Sequence, residues 1–168
     1  KIVVTADDFT SIAAAVEEGR VVHGNSKKAI ALLAATSFAE VAILVLAVAL
    51  GYPPPFAAVQ ILWNNLVTEG VITVNLIMEP AEGDEMTRRP TPLDEPLLTR
   101  AMWWRIALMT PTITAVTLGW FAWRLHSGVA PAVAQTEAFT LLVVCEWFNT
   151  VNCRSDHRSA FDRSAFAN

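Results

Sequence analysis

The sequence has little charge and almost no cysteine. Only 17% of its 168 residues are Asp, Glu, Lys or Arg, against about 25% in a soluble domain. Its two cysteines, Cys145 and Cys153, exclude a disulfide framework and a cysteine-based zinc site. The net charge of −4 leaves no basic surface for nucleic acid, so no nucleic-acid partner is expected. The 54% hydrophobic content excludes intrinsic disorder.

Long apolar stretches account for the missing charge. A membrane-spanning helix needs about 20 mainly apolar residues, and four segments meet that requirement: residues 24–50, whose apolar part begins at Ala29, and residues 56–78, 102–124 and 132–152. The surface helices of a soluble bundle would carry a charged stripe along their length, which these segments lack. The sequence therefore predicts an all-α membrane protein with a helical bundle of four spans in contact with lipid.

The charges between the apolar stretches predict the orientation of the chain. Most Lys and Arg residues lie in residues 1–28, in the loop 79–101 and in the tail 153–168, whereas the turn 51–55 has none. Because cytoplasmic segments of membrane proteins are enriched in Lys and Arg, we expect both ends to be cytoplasmic. The prediction is a multi-pass protein of the cell membrane, and the short loops and alanine-rich spans favour a bacterial source.

Carboxylates lie inside three of the apolar stretches. Glu40, Glu69 and Glu146 each sit at a depth where a charged side chain costs roughly 2.5–3.5 kcal/mol on insertion scales. Polar neighbours at helical spacing share a face with them; these are Thr36, Ser37, Asn65, Thr68, Thr73 and Asn149. Two alternatives remain at this point. A single buried Glu can serve helix packing alone, and Asn64 can face either the cluster or a neighbouring helix.

The oxygen atoms of these side chains predict a site for a hard cation. Carboxylate, amide and hydroxyl oxygens suit Ca²⁺, Mg²⁺, Mn²⁺ or an alkali cation. A soft-metal site would need Cys or His at depth, but His23 and His157 lie outside the predicted spans and His126 at an outer edge.

Residues 4–28 contain the motifs VTADDF, AAVEEGR and NSKK. These motifs resemble the end of the phosphorylation domain in the P2 branch of the P-type cation-transporting ATPases, the branch of the calcium pumps. Residues 61–70, ILWNNLVTEG, are similar to its sixth transmembrane helix, where W-x-N-L-V-T-D-G is typical. Residues 86–98 resemble the loop that follows, and residues 146–155 the end of the eighth helix. The resemblance covers nearly the whole chain.

The resemblance implies a position in the pump for each segment. The four spans become the family's fifth to eighth transmembrane helices, with residues 24–50 forming the stalk and fifth helix. Residues 1–23 become the remnant of the α/β phosphorylation domain, with its last strand at residues 2–5 and a helix at residues 8–20. The family binds its cations between its fourth, fifth, sixth and eighth helices. Matching positions imply cation-binding roles for Glu40, Ser37, Asn65, Thr68, Glu69, Glu146 and Asn149, with Glu40, Asn65, Thr68 and Glu69 as metal ligands.

Three departures from the family pattern leave the cation open. Ser37 stands where calcium pumps typically have Asn, and Glu69 stands where Asp is usual. Residues 71–73, Val-Ile-Thr, replace Leu-Pro-Ala, so any unwinding of the sixth helix is expected to differ. The resemblance favours Ca²⁺, with pumps for Mn²⁺, Na⁺, K⁺ or H⁺ as alternatives.

The implied activity is ATP-driven cation transport by the full-length pump. The sequence contains neither the phosphorylation motif DKTGT nor the hinge motif TGDGVND. No catalytic residue is therefore expected in this segment, which should be inactive alone, and ATP and Mg²⁺ would be bound by the rest of the same pump chain. The rival hypotheses are an ATP-independent channel or carrier, which also needs buried carboxylates, and a membrane scaffold that binds no cation.

Overall fold

The computed structural model describes residues 9–81, 83–88, 92 and 95–154. All the regular elements in these ranges are helical, which confirms the predicted all-α class. They are α1 (Phe9–Ala49), α2 (Ala58–Trp63), a π-helical segment (Asn64–Glu69), α3 (Gly70–Ile77), α4 (Arg100–His126) and α5 (Pro131–Cys153). The predicted strand at residues 2–5 and most of the tail 153–168 lie outside the described residues.

Helix α1 is a single uninterrupted rod of 41 residues. At 1.5 Å per residue it is roughly 60 Å long, about twice the thickness of a bilayer's hydrocarbon core. The predicted domain helix at residues 8–20 and the stalk helix at residues 24–50 therefore lie on one rod from Phe9 onward. The assignment of residues 1–23 to a separate domain stays a prediction.

A tight turn reverses the chain after α1. Gly51 has a φ of 78°, a left-handed conformation that favours glycine, and the Tyr52 amide donates back to the carbonyl of Ala47 at 2.9 Å. The prolines that follow cannot continue a helix. Helix α2, the π segment and α3, of 6, 6 and 8 residues, then follow one another without a gap. We call this unit the composite helix.

Small residues bring α1 close to α4 and α5. Ala39, Ile43 and Ala47 of α1 are fully buried in one core with Phe121 of α4 and Leu142 of α5. Small side chains at a helix crossing let the backbones approach and increase van der Waals contact, which stabilises helix pairs in lipid. A second, smaller core of Ala29, Leu32, Leu76 and Cys153 joins α1, α3 and α5.

A hydrogen bond near the middle of the two helices also connects α4 to α1. The Thr110 hydroxyl donates to the main-chain carbonyl of Ala35 at 3.1 Å. Among the residues that the structure describes, α1 and α4 are the two helices that are both long and apolar enough to cross a bilayer. Helix α5, with 23 residues, has a spanning length as well. The four-span arrangement therefore stays a prediction.

The side chain of Asn25 on α1 is hydrogen-bonded to the end of the composite helix. Its side chain is 4% exposed, and its amide nitrogen donates to the main-chain carbonyls of Ile77 at 3.2 Å and Glu79 at 2.7 Å. Carbonyls at a helix end have no partner within the helix, so Asn25 supplies donors that the last turn of α3 lacks.

Two basic residues of α1 hold the segment that follows. The Arg20 guanidinium donates to the main-chain carbonyls of Glu85 at 2.7 Å and Arg88 at 3.1 Å. The Lys27 ammonium pairs with the Glu95 carboxylate at 2.8 Å. The described residues of the predicted loop 79–101 that contact Arg20 and Lys27 therefore lie along the N-terminal half of α1.

We expect the Asn25→Leu substitution to loosen this loop. It removes the donor of two part-buried hydrogen bonds, and a typical hydrogen bond contributes about 0.5–1.5 kcal/mol. Limited trypsin digestion should then cut within residues 79–99 several times faster than in the wild type. Ser26→Ala is the matched control, because among the described residues the Ser26 hydroxyl bonds only to the Val22 carbonyl of its own helix, at 2.7 Å. Equal digestion of both variants would contradict the role of Asn25.

Candidate functional site

Polar side chains from three elements meet in the interior of the bundle. Glu40 comes from α1, Asn64 from the π segment and Glu146 from α5, and they are 5%, 0% and 1% exposed. Thr68 and Glu69 of the π segment are also buried. Burying a charge is costly unless it is paired or hydrogen-bonded, so the partners of these carboxylates determine what the cluster can do.

The amide of Asn64 connects two of the carboxylates. Its nitrogen donates to Glu40 Oε1 at 3.0 Å and to Glu146 Oε1 at 2.9 Å. Both amide hydrogens are therefore used, one on each carboxylate. A single side chain thus links α1, the composite helix and α5.

Asn65 approaches Glu40 from the other side. Its amide lies 3.3 Å from Glu40 Oε1 and 3.2 Å from Oε2, and it donates to both when its nitrogen faces the carboxylate. If the amide is turned by half a rotation, its oxygen lies beside the carboxylate instead, and only a cation between them would offset the repulsion. Asn65 is exposed, so the cluster is open on this side.

The π winding brings the polar residues of the segment together. On an α-helix, residues five apart point about 140° away from each other. The i→i+5 bonding of a π-helix widens the turn and brings Asn64 and Glu69 closer to the same side. Asn64, Thr68 and Glu69 are accordingly all buried. The sequence of residues 71–73 predicts that any unwinding of this helix differs from the family pattern. In the structure the helix continues through Gly70 and is not unwound.

Several buried oxygens of the cluster lack a hydrogen-bond donor within the described ranges. They are Asn64 Oδ1, Glu69 Oε1 and Glu146 Oε2. The three carboxylates also repel one another, Glu69 acting on Glu40 and both acting on Glu146. A buried acceptor without a donor is costly, and a bound cation is one partner that such an oxygen can take.

The carboxylates alone do not form a metal cage. Across residues 9–81, 83–88, 92 and 95–154, no three His, Cys, Asp or Glu side chains are grouped closely enough to hold a metal ion. Amides and hydroxyls stand between the carboxylates, with Asn64 between Glu40 and Glu146. Coordination here would therefore depend on neutral oxygen ligands as well as on charge.

The structure brings together most, but not all, of the residues predicted from sequence. Glu40, Asn65, Glu69 and Glu146 lie close enough to interact within the cluster. Thr68 is buried on the π segment, where it also lines a cavity with Trp63 and Trp147. The two other predicted residues have different surroundings. Ser37 is exposed on α1. Asn149 is buried, but it lines a small cavity between α1, α4 and α5, beside Lys28 and Met102.

Two residues of the cluster were not assigned from the sequence. Asn64 was left open between two orientations, and Thr36 was noted only as sharing the face of Glu40. Thr36 is 1% exposed, and its hydroxyl interacts with the Glu69 carboxylate. The signal for Thr36 was its spacing of four residues from Glu40. For Asn64, an α-helical projection gave no reason to prefer either orientation.

The chain is similar to several known cation-transporting proteins. The family described as "Cation transporting ATPase, C-terminus" matches residues 53–168. The chain is 40% identical over 167 residues to a "Probable cation-transporting ATPase F" of Mycobacterium tuberculosis, covering 99% of the chain and 18% of that protein. It is 34% identical over 168 residues to a "Calcium-transporting ATPase" of Bacillus subtilis, covering 99% of the chain and 19% of that protein.

A mammalian protein shows a similar match. The chain is 32% identical over 169 residues to the "Calcium-transporting ATPase type 2C member 2" of Mus musculus, covering 99% of the chain and 18% of that protein. The chain thus spans less than a fifth of the length of these relatives.

Proposed function

Because the chain belongs to the P-type cation-transporting ATPases, as part of their C-terminal portion, we propose that it supplies helices to the ion-binding membrane domain of an ATP-driven cation pump. The rest of the same pump chain would bind ATP and Mg²⁺. The four predicted spans are then the fifth to eighth transmembrane helices, in contact with lipid and with both ends cytoplasmic.

The cation would bind at the polar cluster. Its proposed ligands are Glu40, Asn65, Thr68, Glu69 and Glu146, and the three carboxylates would have to move closer together than they lie here to share one ion. The observation that supports this most directly is the set of buried oxygens without donors in the described residues, Glu69 Oε1 and Glu146 Oε2 among them. Ser37, which is exposed, and Asn149, which lines the cavity beside Lys28, are not included.

We propose Ca²⁺ as the transported cation. Ca²⁺ takes about six to eight oxygen ligands, from carboxylates, amide carbonyls and water, and the cluster offers carboxylates, amides and hydroxyls. Two of the relatives carry names that describe calcium transport. The cluster is open beside Asn65, so the remaining ligands would come from water and from helices elsewhere in the pump.

The contacts between α1 and the loop support a path for coupling. Arg20, Asn25 and Lys27 connect the stalk part of α1 to the segment that follows the composite helix. Glu40 lies farther along the same rod. A movement of the cytoplasmic domains would thus reach the ion site and the loop through one helix.

The proposal is tested with the full-length pump in proteoliposomes. Phosphoenzyme formation from ATP would be followed at fixed Mg²⁺ while Ca²⁺, Mn²⁺, Na⁺ and K⁺ are varied separately. We expect Ca²⁺ to drive phosphorylation and ATP-dependent uptake. Phosphorylation that responds to no cation would overturn the proposal, and cation flux that needs no ATP would identify a channel or carrier instead.

A further inference from the structure

Asn64 is the side chain through which the carboxylates of α1 and α5 are connected. It is fully buried, and its two donated bonds end on helices that are far apart in the sequence. The ligand set proposed above does not include it. Its position at the start of the π segment means that any rotation of this segment would move both carboxylates.

The two bonds leave specific atoms available for a cation. Each amide hydrogen engages one oxygen of a carboxylate, Oε1 in both Glu40 and Glu146. The second oxygen of Glu146, Oε2, is buried without a donor within the described residues. Asn64 therefore fixes the orientation of each carboxylate without occupying all of its acceptors.

The same bonds set the distance between the two carboxylates. Two acceptors that share one amide nitrogen at 3.0 and 2.9 Å lie about 5 Å apart, because the two hydrogens diverge by about 120°. The amide nitrogen lies between these two Oε1 atoms, so a cation would bind through other oxygens of the same carboxylates, such as Glu146 Oε2. A smaller ion such as Mg²⁺, at about 2.0–2.1 Å from its ligands, requires the carboxylates to come closer together than Ca²⁺ does, at about 2.3–2.6 Å. A fixed amide thus opposes closure of the carboxylates around a smaller ion.

We propose that Asn64 is a positioning residue that holds Glu40 and Glu146 at a spacing suited to Ca²⁺ and thereby determines selectivity against smaller divalent cations. This inference rests on the proposed function, because it assumes that the cluster binds the transported cation. Asn64 acts through the two carboxylates and is not itself assigned as a ligand.

The test compares three substitutions in the full-length pump. Asn64→Asp keeps the volume and removes both donors, Asn64→Leu also removes the polarity, and Asn64→Gln keeps both donors on a longer side chain. Asn75→Leu is the matched control. Asn75 is an exposed residue of the composite helix, and among the described residues its amide bonds only to the Val71 carbonyl of the same helix, at 3.0 Å. For each variant, the Ca²⁺ and Mn²⁺ concentrations that half-activate phosphorylation from ATP would be measured separately.

In the Asp and Leu variants, the Ca²⁺ concentration that half-activates phosphorylation should rise by about tenfold or more. This is the effect expected for losing a hydrogen bond to a charged group. Their preference for Ca²⁺ over Mn²⁺ should fall, while Gln gives an intermediate result and Asn75→Leu matches the wild type. A structural defect alone would lower the amount of active pump and leave that preference unchanged. Phosphorylation by inorganic phosphate, without the transported cation, would report whether each variant is folded.

Three results would count against the inference in different ways. If the wild type shows no cation-dependent phosphorylation, the proposed function fails and the inference fails with it. If the wild type responds to Ca²⁺ but the Asp and Leu variants keep its affinity and selectivity, the role of Asn64 alone is overturned. If both variants also lose phosphorylation by inorganic phosphate, Asn64 is required for folding and is not a positioning residue.

Discussion

Replacing Glu40 by Gln is expected to raise the Ca²⁺ concentration that half-activates phosphorylation by about a hundredfold or more. The change removes one negative ligand at nearly constant volume. Both Asn64 and Asn65 can donate to Glu40, and an uncharged amide accepts these bonds more weakly than a carboxylate does. A hydrogen bond to a charged group contributes about 1.5–3 kcal/mol, and a hundredfold loss of affinity corresponds to about 2.7 kcal/mol.

A carboxylate outside the cluster provides the control for Glu40. Glu137 of α5 accepts from Arg124 at 2.6 and 2.7 Å and from Trp120 at 3.1 Å. Glu137→Gln weakens that pair but should leave the Ca²⁺ dependence unchanged. Titration of phosphoenzyme against free Ca²⁺ compares the two variants, and equal shifts in both would show that the effect of Glu40→Gln is not specific to the site.

Inserting one alanine after Leu66 is expected to abolish cation-dependent phosphorylation. Leu66 lies inside the π segment and is 73% exposed, so the insertion breaks few packing contacts. The wider π turn already holds one additional residue, so a second one cannot be absorbed there. Each residue of a helix turns the chain by about 100°. Thr68 and Glu69 would therefore rotate away from Asn64 by about that angle.

Leu66→Ala separates this effect from a change of side chain at the same position. It changes the same exposed position and keeps the number of residues, so it should retain the Ca²⁺ response. Circular dichroism and phosphorylation by inorganic phosphate would establish that the insertion variant is folded. An insertion variant that still responds to Ca²⁺ would show that the alignment of Thr68 and Glu69 with Asn64 is not needed for the site.

The helices could be predicted from the sequence because their signals are local. The apolar segments ending at residues 50, 78, 124 and 152 come within two residues of the observed helix ends at Ala49, Ile77, His126 and Cys153. Proline and glycine residues lie where the helices end, as Gly51 does after α1. The convergence of Glu40, Glu69 and Glu146 could also be anticipated, since the cost of a carboxylate in an apolar segment demands polar partners.

The remaining features depend on contacts between helices and could not be predicted from local patterns. Whether the stretch from Asn64 to Glu69 winds as an α-helix or a π-helix depends on what it meets on α1 and α5. Asn149 lies three residues after Glu146 and shares its helix face, but it is almost one turn farther along α5. At that level it meets the cavity beside Lys28, not the carboxylates.

The bond from Asn25 to the end of α3 lies about midway between the first residue of α1 and Glu40. At 1.5 Å per residue, Phe9 lies about 24 Å from Asn25 on one side and Glu40 about 22 Å on the other. If α1 rotates as a rigid rod about Asn25, a displacement of Phe9 produces an opposite displacement of almost equal size at Glu40. A tilt of about 3° would displace Glu40 by roughly 1 Å, several times the spread of about 0.3 Å in Ca²⁺ ligand distances. A rotation of α1 by a few degrees about Asn25 would therefore be enough to release a bound ion.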